Sequence, residues 1–241
     1  MSDDLNKQYE NYSNLPLWED LAALDPFRVA ELSGAELGFE EGHPRYELDF
    51  LGGRYAFTPE NRTVAALTGS GPPNYQRTIV MLSYLVNAGK GPAPGLSGDE
   101  VSPAALPSGA FFFKGPHELM KAPVAEAFGD APEELVKVAL ALGAVPHRKL
   151  SFRLKALPFV EVYCHIEPAD EEFPAEVRYN FDSNIHYYLR LDGIFALINC
   201  LSSLLVSMKK SRPPAWGGGG GGGGGAPGGG GGGGAGGGGG G

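Results

Sequence analysis

The spacing of apolar positions changes several times along the chain, and each change marks an element. Within residues 3–30, Leu15, Trp18, Leu21, Ala22 and Leu24 recur at helical offsets and Pro26 punctuates them, which predicts one or two amphipathic helices. The period then falls to two. Glu31 to Glu40 alternates loosely, Tyr46 to Leu51 alternates cleanly, and Arg54 to Phe57 resumes after Gly52-Gly53. With Glu41-Gly42-His43-Pro44 as the other turn, this reads as a three-stranded meander. Tyr75 to Asn87 predicts a helix with Asn74 as N-cap and a stop at Gly89. Lys90 to Pro107 is a Gly/Pro/Ser-rich surface loop with room for a short strand. Phe111-Phe112-Phe113 is too compact for amphipathic spacing and reads as a buried turn or strand. Pro116 to Phe128 and Pro132 to Leu142 are helical, the second opened by Pro132 with Glu133 and Glu134 behind it and stopped by Gly143. Lys149 to Ile166, broken near Ala156 to Pro158, gives two strands or one bent strand. Ala175 to Phe181 gives another, and Ile185 to Leu189 a short extension. Leu191 to Lys210 closes the domain as its longest helix, with Asp192 as N-cap and apolar residues around most of its circumference, so it is a buried helix.

Strands that follow one another in hairpins, with no internal repeat, define an α+β class: mainly antiparallel sheets packed against helices in a single domain. The chain divides into an N-terminal helical segment over 1–30, the α+β domain over 31–212 and a tail over 213–241. Gly217 to Gly241 is glycine broken only by Ala226, Pro227 and Ala235. Such a tract has no side chains to bury against the entropy of ordering its backbone, so the tail is expected to be disordered.

Charge narrows the function classes. A formal net charge of −9 with scattered Lys and Arg lacks the basic footprint of a nucleic-acid binder. The Lys209, Lys210, Arg212 group reads as cations favoured in the last turn of a helix. The amino terminus has no basic region followed by an apolar one, which points to the cytoplasm. Gly193 to Met208 is interrupted by Asn199, Ser202 and Ser203 and falls short of the roughly 20 residues of a membrane span. Cys164 and Cys200 are two widely separated cysteines and read as free, buried thiols. Gly52-Gly53 is a hairpin turn rather than a phosphate loop, because no helix follows it. No nucleophile elbow, zinc-protease, Walker or Rossmann motif occurs, so no cofactor is indicated.

The densest chemistry lies between Leu157 and Asp192. Asp170, Glu171, Glu172 and Glu176 cluster in the loop between two strands, and Asp182 follows on the second. Carboxylates brought together there can bind a divalent cation or separate in pKa and act as acid and base. The bland alternative is a solvated acidic hairpin loop that keeps a sheet edge from pairing with other chains. Asp182-Ser183-Asn184 is Asx-turn chemistry, and His186 just beyond it is a ligand candidate or a half-buried edge histidine. Cys164 and His165 are adjacent on a strand, face opposite ways and cannot pair with each other.

These residues also carry a resemblance. Pro158-Phe159, the run Asp170-Glu171-Glu172-Phe173-Pro174-Ala175-Glu176, then Phe181-Asp182-Ser183-Asn184 and Tyr188-Leu189 together resemble the DUF3786 family of bacteria and archaea. Leu82-Ser83-Tyr84-Leu85 is similar to that family's "LLxYL" helix, and the similarity spans residues 15–210. The resemblance implies an anaerobic setting. Some members are fused to a cysteine-rich iron–sulfur domain of the kind found in corrinoid proteins, a segment this chain lacks. Cys164-His165-Ile166-Glu167 departs from the bulky apolar residue expected there.

Three functional readings follow. The first is a cytoplasmic binding or accessory module for a protein or small-molecule partner, linked through the resemblance to anaerobic one-carbon or corrinoid/iron–sulfur metabolism. Its ligand would sit between the C-terminal sheet and helix 191–210, with Asp170, Glu172, Phe173, Asp182 and His186 at the mouth. The second is a small metal-dependent hydrolase-like enzyme, with Asp170, Glu172 and Asp182 as metal ligands beside His165 or His186. The third is a structural or interaction domain.

Overall fold

The computed structural model describes residues 12–69 and 71–211. The anticipated poly-glycine tail and the start of the N-terminal helical segment lie outside them. Two short helices open the described chain, α1 (Leu17–Ala22) and α2 (Pro26–Ser33). The Asp25 carboxylate caps α2 by accepting from the Phe27 N–H at 3.0 Å. Gly34 ends α2 in the left-handed region, where an added Cβ would meet Pro158 at 3.0 Å.

The first sheet is four-stranded and antiparallel, in the order β1 (Glu36–Glu40), β2 (His43–Phe50), β3 (Gly53–Thr58), β4 (Thr63–Thr68). It corrects the three-stranded expectation at both ends. Glu31 to Ser33 belong to α2, and β4 was missed because five of its six residues are exposed, which removes the alternation that marks a strand. Next, α3 (Tyr75–Lys90) is capped by Asn74, whose Oδ1 accepts from the Arg77 N–H at 3.0 Å. The helix runs through Gly89 instead of stopping there. An added Cβ at Gly89 would lie 2.6 Å from Val29 Cγ2, so this glycine permits close approach of α2 to α3.

The second sheet has five antiparallel strands in the order β5 (Glu100–Val101), β9 (Glu176–Asp182), β8 (Val160–Glu167), β7 (Ser151–Leu157), β6 (Val145–Pro146). Between β5 and β6 lie α4 (Gly109–Phe112), α5 (Ala122–Phe128) and α6 (Pro132–Leu140). The chain ends in α7 (Ile185–Tyr188) and α8 (Leu191–Ser211). Phe111, expected inside, is 86% exposed on α4. The segment read as a strand extension is α7, which buries Ile185, Tyr188 and Leu189 at helical spacing. Asp192 lies inside the first turn of α8 rather than capping it.

One continuous core runs from Trp18 to Leu205. Tyr84 stitches it: its hydroxyl donates to the Ser33 carbonyl at 2.6 Å and accepts from the Phe159 N–H at 3.2 Å, tying α2, α3 and the β7–β8 turn. The two sheets meet where the Leu51 N–H donates to the Ala156 carbonyl at 3.1 Å. At 21 residues α8 is long and apolar enough to cross a bilayer, correcting the shorter span read from sequence. Ile194, Leu197, Ile198, Leu201 and Leu205 are instead buried in the domain core, as in any central helix.

Candidate functional site

Alternation along the second sheet sends Phe152, Leu154, Val162, Cys164, Val177, Tyr179 and Phe181 to the core. The register places Tyr163 opposite Asn180, His165 opposite Arg178 and Glu100 opposite Asp182, all on the other, polar face. Glu100 is the centre of that face, with its side chain 14% exposed. Its Oε1 lies 2.6 Å from His165 Nε2 and accepts from Asn180 Nδ2 at 2.7 Å, while Oε2 lies 3.0 Å from His147 Nε2. Arg148 Nη2 approaches Oε2 at 3.6 Å. Burial works to raise the Glu100 pKa, but the hydrogen bonds from Asn180, His165 and His147 and the charge of His165 outweigh it and hold the carboxyl below its ordinary value. An ionised carboxylate only accepts, so both imidazoles present Nε2–H to it. Beside this group the buried Glu161 accepts from the Tyr163 hydroxyl at 2.9 Å and faces Arg153 Nη1 at 3.8 Å. Burial and Glu161 push the Tyr163 hydroxyl pKa up.

The outer edge of β9 is paired with another strand over only part of its length. Ser183 N–H donates to the Asp99 carbonyl at 2.9 Å, and β5 then pairs Glu100 with Asp182 and Val101 with Phe181. Continued one step further as a bonded pair, this register would set Pro103 against Tyr179. Proline has no N–H to give a ladder, and the chain turns away into the 3₁₀ turn Pro103–Ala105. Antiparallel alternation then leaves the N–H and C=O of Tyr179 and Val177 directed away from β8. Neither residue's main chain has a partner on that side among the described residues. A cavity of about 320 Å³ lies there, bounded by Ser102, Phe113 and Lys114 on one side and Arg178 and Asn180 on the other. A second, of about 400 Å³, continues along the edge between Lys121 and Val177. Tyr179 and Val177 are 2% and 1% exposed, main chain included, because the 103–105 turn and α5 pack against this edge. Asn180 joins the first cavity to the Glu100 cluster. A third cavity, of about 620 Å³, opens at the seam of the two sheets near Gly52 and Pro158.

The residues singled out from sequence fall elsewhere. Asp170 sits in the exposed β8–β9 loop, where it accepts from the N–H groups of Glu172 and Phe173 at 2.9 and 2.7 Å. Those two bonds lower its pKa. Glu172 and Phe173 are exposed beside it. Asp182 is fully buried at the far end of β9, about 20 Å from that loop at roughly 3.3 Å per strand residue. Its oxygens accept from the N–H groups of Ser97 (3.1 Å), Gly98 (2.8 Å) and Asn184 (2.9 Å), which fastens the 95–99 loop to the sheet. His186 lies 2.8 Å from the Ser183 carbonyl through Nδ1 and packs on Tyr187. The set of Asp170, Glu172 and Asp182 therefore does not converge. No group of three His, Cys, Asp or Glu among the described residues is placed to hold a metal ion. The groove expected between sheet and α8 is filled: Tyr179 and Cys164 pack there, and the Tyr179 hydroxyl meets Ser202 Oγ at 2.8 Å. Of the residues that do come together, only His165 was named from sequence. Glu100 opens the two-residue strand β5 and His147 directly follows the two-residue strand β6, segments too short to carry a local pattern, and only strand pairing brings them side by side.

A family model described as "Domain of unknown function (DUF3786)" matches residues 25–203, and the chain belongs to this family. No curated protein and no solved structure matches it.

Proposed function

We propose that this DUF3786 domain is an accessory binding module whose ligand lies in the cleft along the outer edge of β9. The observation that supports this reading is the pair of adjoining cavities alongside β9, with Lys114, Lys121 and Arg178 among the residues that line them. The Glu100, His147 and His165 cluster backs the cleft through Asn180 and holds that wall in one arrangement. A cytoplasmic setting in anaerobic one-carbon or corrinoid/iron–sulfur metabolism belongs to this proposal through the family resemblance.

The test is native mass spectrometry, with metal analysis, of the full chain purified without oxygen, beside an Ala110→Trp variant that fills the first cavity. An adduct retained by the parent and lost from the variant, with the same melting temperature, supports the reading. A bare mass for both proteins, or an adduct held equally by both, overturns it.

A further inference from the structure

Resting on that reading, we infer that the ligand of the first cavity is a small zwitterion, an amino carboxylate whose ammonium and carboxylate are separated by an apolar chain. Five charged side chains line this cavity: Lys114, Glu118, Lys121, Glu176 and Arg178. Three of them are already matched. Lys121 Nζ lies 3.4 Å from Glu118 Oε1, and Arg178 is paired with Glu167 of the neighbouring strand. Lys114 and Glu176 remain. The Lys114 ammonium lies 5.9 Å over the Phe111 ring and has no carboxylate partner among the described residues. Glu176 stands directly opposite Glu167 in the β8–β9 ladder, a like-charge pair that works against the sheet. It has no cationic partner among the described residues.

The two uncompensated charges lie at different places in the cleft. Glu176 lines both cavities and so stands where they join, whereas Lys114 lines the first alone. Most of the remaining wall is apolar, with Pro103, Ala104, Ala110, Phe113 and Leu119. A ligand with one charge leaves the other site unmatched. A purely anionic ligand also meets Glu176 and the field of a chain whose net charge is −9, and a purely cationic one meets Lys114. A zwitterion satisfies both ends, and its uncharged middle meets the apolar wall. A volume of about 320 Å³ holds roughly ten non-hydrogen atoms at ~30 Å³ each, the size of a short amino carboxylate.

The probe is 6-aminohexanoate, compared with hexanoate and hexylamine, which keep the chain and one charge each, and with leucine, whose two charges flank a single carbon. Binding to the full chain is read by NMR titration of the parent, Lys114→Glu, Glu176→Lys and the double variant. Both side chains are exposed, so these changes leave the core untouched, and melting temperatures verify it. The expected result is 6-aminohexanoate binding about tenfold or more tighter than each analogue, a loss of about tenfold in each single variant, and recovery in the double variant, where the ligand lies reversed. Hexanoate or hexylamine binding equally well, single variants that bind as the parent does, or no recovery in the double variant overturns the zwitterion. Leucine binding as tightly overturns the separation of the two charges. Failure of 6-aminohexanoate at millimolar concentration overturns the ligand class. If the parent still retains an adduct that Ala110→Trp loses, the cleft reading survives that failure; if it does not, both fall.

Discussion

Asp182 illustrates how one side chain changes meaning once its surroundings are known. As part of Asp-Ser-Asn it reads as a local turn former, but in the fold it is fully buried and holds three N–H groups, two of them from a loop more than eighty residues away in sequence. Asp182→Ala strands those donors and should cost about 3 kcal/mol in urea unfolding; a loss below about 0.5 kcal/mol would refute the anchoring role. Glu100 has a pH signature. Its carboxyl is held below its ordinary value, so its contribution is present above that value and disappears as pH falls through the lower folded value. Glu100→Gln should be less stable than the parent at neutral pH, and the gap should close below about pH 4. A gap that widens in acid would contradict the assignment. The two cysteines match their expected burial. Burial pushes the Cys164 thiol far up and the Cys200 thiol to about 11, the latter opposed by the charge of Arg77. Both should react with a thiol-labelling reagent only at the rate of unfolding, and rapid labelling of native protein would show that one of them opens independently.

Among the elements, those with a buried face and a clear period were legible. α3 with its Asn74 cap, β2, β3, β7 to β9 and α8 all lie within a few residues of expectation. β4 was not, because an exposed strand has no alternation; β5 lies within the 90–107 loop where a short strand was expected, but a two-residue strand has no pattern to place it. α7 was read as a strand because four residues cannot distinguish a period of two from one of 3.6. Gly89 was read as a stop, although its missing side chain serves packing. Gly89→Val should overfill the contact with Val29 and Leu24 and destabilise by about 1–3 kcal/mol, measured as a lower unfolding midpoint in urea with an unchanged slope. A neutral result would mean that α2 moves freely against α3.

Across the molecule, a single core joins two sheets that are separate in sequence. α3 touches both halves: Tyr84 bonds Ser33 and Phe159, and the Asn87 side-chain amide donates to the Tyr188 carbonyl at 3.0 Å. The halves should therefore unfold together. In a Trp216→Phe variant, where Trp18 is the remaining tryptophan, fluorescence and far-UV circular dichroism should give the same urea midpoint. Two separated midpoints would show that the sheets are independent units. The candidate site is also a property of the assembled molecule. Its wall comes from β5 and the 102–121 segment, its floor from β9 and its polar backing from His147 and His165.

Family membership, the α+β class, the terminal core helix and the burial of both cysteines followed from the chain itself, because each depends on residues near one another or on composition. The location of the cleft did not. Acidic residues adjacent in sequence dominated the reading, yet in an extended strand neighbours point apart and Asp170 and Asp182 end far from each other. Glu100, His147 and His165 meet because β5 and the segment after β6 close onto the polar face from distant parts of the chain. The β5 ladder ends before Tyr179 because a proline falls at one position of a register that strand pairing alone defines.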